Sequence, residues 1–185
     1  MSNDVPVEQV IAALWPPAAP ADATVWAVLD CARDERIFPA LQASRLEYLS
    51  LYAGQLPETL KRAAPHMVEL APGYRFTRPL LEMGWGQSWG IFIRTREPLN
   101  LRHHLRKFLR VQDEAGRHLV FRFYDPRVLR TFLPTCDAVQ LKTLFGVAGS
   151  FITEDRHGDA LIEFTFDGRK LLQRRTDLSM PVHAP

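Results

Sequence analysis

The sequence predicts an α/β (α+β) fold, a mixed β-sheet flanked by short helices in a single compact domain. Three observations point there. The stretch TVWAVLD, residues 24–30, is β-branched and apolar with no helical period, which suits a strand buried on both faces. Short strand-like and helix-like segments alternate after it. Proline and glycine clusters separate those segments at short intervals.

Length and composition set the frame. At 185 residues the chain can build one good core and little more. Hydrophobic residues at 46% and charged residues at 24% are ordinary for a globular chain and argue against disorder. A net charge of +2 singles out neither nucleic acid nor an anionic membrane as partner. No apolar run approaches the roughly 18 residues of a membrane helix, and MSNDVPVEQV lacks the regions of a signal peptide, so a cytoplasmic protein is expected. Cys31 and Cys136 form no CxxC or cysteine framework, and two reduced, buried thiols are expected.

Taken in order, Val7, Val10, Ile11 and Leu14 share a helical face, and Pro16-Pro17 with the following Ala and Pro residues ends that helix in a stiff linker. Residues 1–23 are therefore read as helix plus linker, 24–167 as the core domain, and 168–185 as a basic, polar, flexible tail. CARDERIFPALQAS reads as a turn leading into a short helix. LEYLSLY can form a strand, PETLKRAAP a short helix and HMVEL another strand. A helix over Phe76 to Met83 then meets the glycine and tryptophan turn GWGQSWG, and IFIRT follows as a strand. PLNLRHHLRKFLRV is an amphipathic basic helix, with Leu101, Leu105, Phe108 and Leu109 on one side and Arg102, His103, Arg106, Lys107 and Arg110 on the other. DEAGR marks a hairpin-like turn, and HLVFRFYD a strand with Leu119, Phe121 and Phe123 facing one way and Val120, Arg122 and Tyr124 the other. PRVLRTFL is a helix capped by Asp125, with Pro126 at its first position. DAVQLKTLFG is a helix running from the cap Asp137 to the stop Gly146. SFITEDRHGDALIEFTF closes the core as a hairpin turning at His157-Gly158-Asp159.

Few residues invite chemistry. GQSWG, 86–90, matches the G-x-S-x-G pattern of a hydrolase nucleophile elbow around Ser88, but here a helix precedes the serine and a strand follows it, the reverse of that elbow. Gly84, Gly86 and Gly90 equally allow a tight backbone anchored by Trp85 and Trp89. His103-His104 lack the spacing of four that a two-histidine metal face needs on a helix. Asp30, Asp34 and Glu35 are interleaved with Arg33 and Arg36, which favours a structural ion-pair network. The basic helix could meet phosphates, yet nothing suggests base stacking, and an acidic protein surface would serve equally well. Neither cofactor nor metal is implied, and the candidate site residues are binding residues.

The stretches VWAVLDCARDERIFPAL, LEYLSLYAGQLPETL, APHMVELAPG, LLEMGWGQSWGIFI, LRHHLRKFLRV and FRFYDPRVLRTFLPTC, in this order, resemble the adaptor chaperones of bacterial type VI secretion, a family first labelled a domain of unknown function. The resemblance runs from about Val25 to the SFITED strand. It implies a protein that performs no reaction, holds a toxic effector and helps load it onto the valine-glycine repeat spike protein, VgrG. Some members carry a longer C-terminal helical lobe, whereas this chain ends soon after FTFDGRKLLQRR, so the core surface or basic tail is expected to take that lobe's place. The expected partners are effector and spike, without nucleic acid or membrane insertion, and the free chain is expected to be a monomer. Aromatic and arginine residues dominate protein-binding hot spots, which makes Trp85, Trp89, Tyr124, Arg127 and Arg130 the candidate partner-binding residues. The alternative from another class is a serine hydrolase acting through Ser88.

Overall fold

The structure, a computed structural model, describes residues 5–112 and 116–178. Its centre is strand β1 (Thr24–Asp30), the strand read from TVWAVLD. Around it stand β2 (Tyr48–Ser50), β3 (Pro65–Leu70), β4 (Gly90–Thr95), β7 (Ala148–Glu154), β8 (Ala160–Phe166) and β9 (Leu171–Asp177), in the order β2-β3-β1-β4-β7-β8-β9. The class is α+β as expected. The sheet is antiparallel at every pairing rather than mixed, because each strand re-enters beside its neighbour in the opposite sense.

Alternation along the strands divides the core into two layers. Val25, Ala27 and Leu29 of β1, with Phe92 of β4, face helices α1 (Val7–Leu14), α2 (Ile37–Ser44) and α4 (Thr77–Gly84). Val28, Ile91 and Ile93 face α5 (Pro98–Arg106), α6 (Pro126–Phe132) and α7 (Ala138–Phe145). A sheet covered on both sides explains why β1 is apolar in both registers. The short helix α3 (Glu58–Ala63) buries no residue.

Three boundaries differ from the sequence reading. The basic helix ends at Arg106, and Arg110–Gln112 (β5) pairs antiparallel with His118–Val120 (β6) as a separate ribbon. The DEAGR turn between them falls largely on residues 113–115, outside the described residues. The strand expected to run to Asp125 stops at Val120, because a turn closed by Asp125 N–H to Arg122 C=O (2.9 Å) redirects the chain, so Phe123 and Tyr124 are both buried in one core. Residues 171–177 of the expected flexible tail form β9, paired along its whole length with β8, and Leu178 is buried. Polar, charged side chains masked this strand, since its side chains are mostly exposed. The rest of that tail, 179–185, lies outside the described residues. The N-terminal helix belongs to the core: Val10 and Leu14 are buried, and the Leu14 carbonyl accepts from the Arg94 guanidinium at 2.9 Å.

Candidate functional site

One end of the sheet gathers most of the residues singled out from the sequence. The ends of β1 and β7 and the beginning of β4 meet there, because these strands are antiparallel neighbours. The connection from α4 to β4 is the GQSWG turn, and Gly86 (φ 79°) and Ser88 (φ 56°) both adopt the left-handed backbone. That twist aims the amides of Gly86 and Ser88 at one carboxylate, Glu154, at 2.5 and 2.8 Å, and the Ser88 hydroxyl donates to the same group at 3.3 Å. Glu154 is 5% exposed. Burial raises its pKa, and the two amides and Arg130 only partly offset that rise.

The turn is therefore a carboxylate-anchored clamp. Trp85 donates to the Gly158 carbonyl at 2.7 Å, tying the turn to the β7–β8 loop, and Trp89 donates to Asp34 at 3.2 Å. Both indoles are buried. The hydroxyl that a hydrolase would use is committed to Glu154, and the turn leads from a helix into a strand, as the sequence indicates.

The YDPR segment completes the same end. Asp125 caps α6 by accepting the Arg127 N–H at 2.9 Å, as expected, and the Arg127 guanidinium grips both of its oxygens at 2.9 and 2.6 Å. Burial would raise the Asp125 pKa, but Arg127 more than offsets it and holds the carboxyl below the usual range. Arg122 pairs with buried Asp30 instead of Asp125. Arg130 donates to the Glu154 main-chain carbonyl at 2.5 Å. Tyr124 is buried, and burial, with Tyr52 and Asp30 close by, pushes its hydroxyl pKa up. Of the five candidate binding residues, Trp85, Trp89 and Tyr124 are thus core members, while Arg127 and, in part, Arg130 reach the surface. Aromatic residues flanked by glycine or arginine read as hot spots in a sequence, but here the sheet end needs them to seal its core.

The remaining sequence candidates are also structural. Asp34 pairs with Arg36 at 2.6 Å, as the ion-pair reading expected. His104 is buried, its Nε2 2.8 Å from the Leu144 carbonyl. Cys31 is buried and free, and burial pushes its thiol up to about 12; Cys136 is free and half-buried.

A surface of another kind lies along α5. One groove of about 550 Å3 is lined by Leu51, Tyr52, Leu56, Leu60, Leu109 and Val120. A second, of about 590 Å3, is lined by Trp26, Leu46, Leu49, Tyr74, Pro98 and Leu99. Arg106 borders both, with Arg102, His103 and the carboxylates of Glu47 and Glu69 on the second and Arg110 on the first. Leu99 is 95% exposed and Val120 63%, large apolar side chains left in water beside arginines. The cations of this helix are legible in the sequence, and its exposed apolar companions are less so. Leu99 could have been found there, because it falls off the buried stripe of Leu101 and Leu105; Val120 could not, since a six-residue alternation hid the end of its strand.

A family model described as a domain of unknown function, DUF4123, matches residues 25–143, from β1 to within α7. The chain belongs to the DUF4123 family. No curated protein and no solved structure matches it. The DUF4123 match contains the GQSWG and YDPR segments and the α5 grooves, but not Glu154, the acid on which the GQSWG clamp closes.

Proposed function

We propose that this DUF4123 protein is a non-enzymatic adaptor chaperone that binds a toxic type VI secretion effector and promotes its loading onto the VgrG spike. The observation that carries the reading is the pair of apolar grooves along α5, joined at Arg106 and fringed by Arg102 and Arg110. Apolar floors with arginine borders bind polypeptide: the floor supplies burial and the guanidinium forks fix register on carbonyls and carboxylates. Family membership is consistent with a role in type VI secretion. The free protein is a cytoplasmic monomer in this reading, and the effector segment covers Leu99 and Val120.

Coexpression pull-down with the neighbouring effector and spike tests the proposal. Leu99→Glu and Arg106→Glu abolish capture, while Arg127→Glu and Arg130→Glu, at the sheet end, reduce it less. Undiminished capture by folded Leu99→Glu and Arg106→Glu proteins overturns the placement of the site. A fluorophosphonate probe leaves the purified chain unlabelled; labelling that disappears in Ser88→Ala would establish a hydrolase instead.

A further inference from the structure

The two lateral edges of the sheet are treated differently. The β2 edge is three residues long, and the Arg102 guanidinium already occupies the carbonyl of Ser50 at 2.9 Å. At the opposite edge β9 offers seven residues, paired among the described residues on one side only. The hydrogen bonds that flank its ladder fix which groups point outward. Leu178 N–H donates to Asp159 C=O at 2.8 Å, and Asp167 N–H to Lys170 C=O at 3.3 Å. In an antiparallel ladder these hydrogen-bonded pairs recur every second residue, so Leu172, Arg174 and Thr176 spend their main-chain groups on β8. Leu171, Gln173, Arg175 and Asp177 turn theirs away from the sheet. Such a row is a template for one more strand.

The two faces beside this edge differ in charge. On one, a groove of about 500 Å3 is lined by Leu172 and Arg174 together with Arg94, Arg96 and Glu163. Asp22 pairs with Arg96, so three cations face two anions and one positive charge is left over. On the other face, Arg175 is held by Asp155, Asp159 and Asp177, leaving two negative charges in excess. A second copy of this chain complements this poorly: antiparallel pairing of two β9 strands about a two-fold axis would set both cationic grooves on the same side.

We propose that the outer edge of β9 takes up an extended segment of another polypeptide as an eighth strand, with acidic side chains on the Arg174 face and neutral or basic ones on the Arg175 face. Main-chain bonds to Leu171, Gln173, Arg175 and Asp177 supply affinity, and the two faces supply selectivity. This surface is separate from the α5 grooves, and β9 itself lies outside the residues 25–143 matched by the family.

A displayed library of random ten-residue peptides panned on the full chain tests the proposal. Peptides with acids at alternate positions are enriched. A synthetic copy of one of them slows hydrogen exchange at the amides of Leu171, Gln173, Arg175 and Asp177 at least tenfold in the unmodified protein. Gln173→Pro, which removes one outward amide and none that pairs with β8, weakens its binding at least tenfold; Leu99→Glu leaves it unchanged, which separates this edge from the α5 surface. Three results overturn the proposal: no enrichment, enriched peptides that leave those four amides exchanging freely, or a dimer of the unmodified chain that Gln173→Pro dissociates.

Discussion

Replacing Glu154 by alanine should unfasten the GQSWG clamp without touching the rest of the core. The carboxylate receives the amides of Gly86 and Ser88 at 2.5 and 2.8 Å and the Ser88 hydroxyl at 3.3 Å. Without it, two amides held in the left-handed turn lose their acceptor, at about 1–3 kcal/mol each. Against this stands the release of a buried charge, whose desolvation already raises the Glu154 pKa. The net loss is about 3 kcal/mol, which for a chain of this length lowers Tm by about 6–12 °C. Thermal unfolding followed by circular dichroism at pH 7 measures it, with Ser88→Ala as control, since that change removes only the 3.3 Å contact and should lose less than about 1 kcal/mol. A loss below about 1 kcal/mol for Glu154→Ala, with Ser88 amide exchange as slow as in the parent protein, would refute the anchoring argument.

Gly146→Ala should lose about 2–4 kcal/mol in urea denaturation, combining left-handed strain at φ 44° with a Cβ driven into the His104 ring. Asp125→Ala should lose about 2 kcal/mol as cap and ion pair vanish together, whereas Arg127→Ala, whose side chain is half exposed, should lose under about 1 kcal/mol. Stability should fall as pH drops below about 6.5, because burial lowers the folded pKa of His66 and the unfolded chain takes up that proton first. His66→Asn, which keeps a donor for the Ala64 carbonyl, should flatten that part of the pH–stability curve; an unchanged slope would remove His66 as its source.

Local chemistry makes much of the fold readable in the sequence. TVWAVLD is apolar at every register, and β1 is covered on both faces. Asp137 reads as an N-cap, and it does accept the Gln140 N–H at 2.8 Å, while the Asp137 N–H donates to the Gln140 side chain at 2.9 Å. What failed depended on distant partners. LLQRRTD looks like tail because its side chains are charged, yet β9 is held by main-chain bonds that carry no side-chain signature. Trp85, Trp89 and Tyr124 read equally well as anchors or as hot spots, and the bonds of the two indoles to the β7–β8 loop and the Asp34 carboxylate, with the burial of Tyr124, are what place them in the core. Glu154 gives no local sign at all, since its two amide partners lie 66 and 68 residues earlier.

The matched segment 25–143 is accordingly not a self-sufficient unit. β4 is paired on one side with β7, which begins only at Ala148. Arg94 on β4, with a side chain 10% exposed, takes its counter-charge from Glu163 on β8 and donates a further hydrogen bond to the Leu14 carbonyl on α1. Cutting the chain after Gly146 would leave that guanidinium without its carboxylate, at about 3–5 kcal/mol if it stayed buried. It would also strip Phe151, Ile162 and Phe164 from one layer and Ile152 and Leu161 from the other. A domain of this size has roughly 5–15 kcal/mol in hand, and losing five buried apolar side chains, at about 1.5–3 kcal/mol each, is a loss as large as that margin before the unpaired guanidinium is added. Residues 1–146 expressed alone should therefore show no cooperative thermal transition. A compact fragment with a sharp transition would mean that β7–β9 are an addition to the core and not part of it.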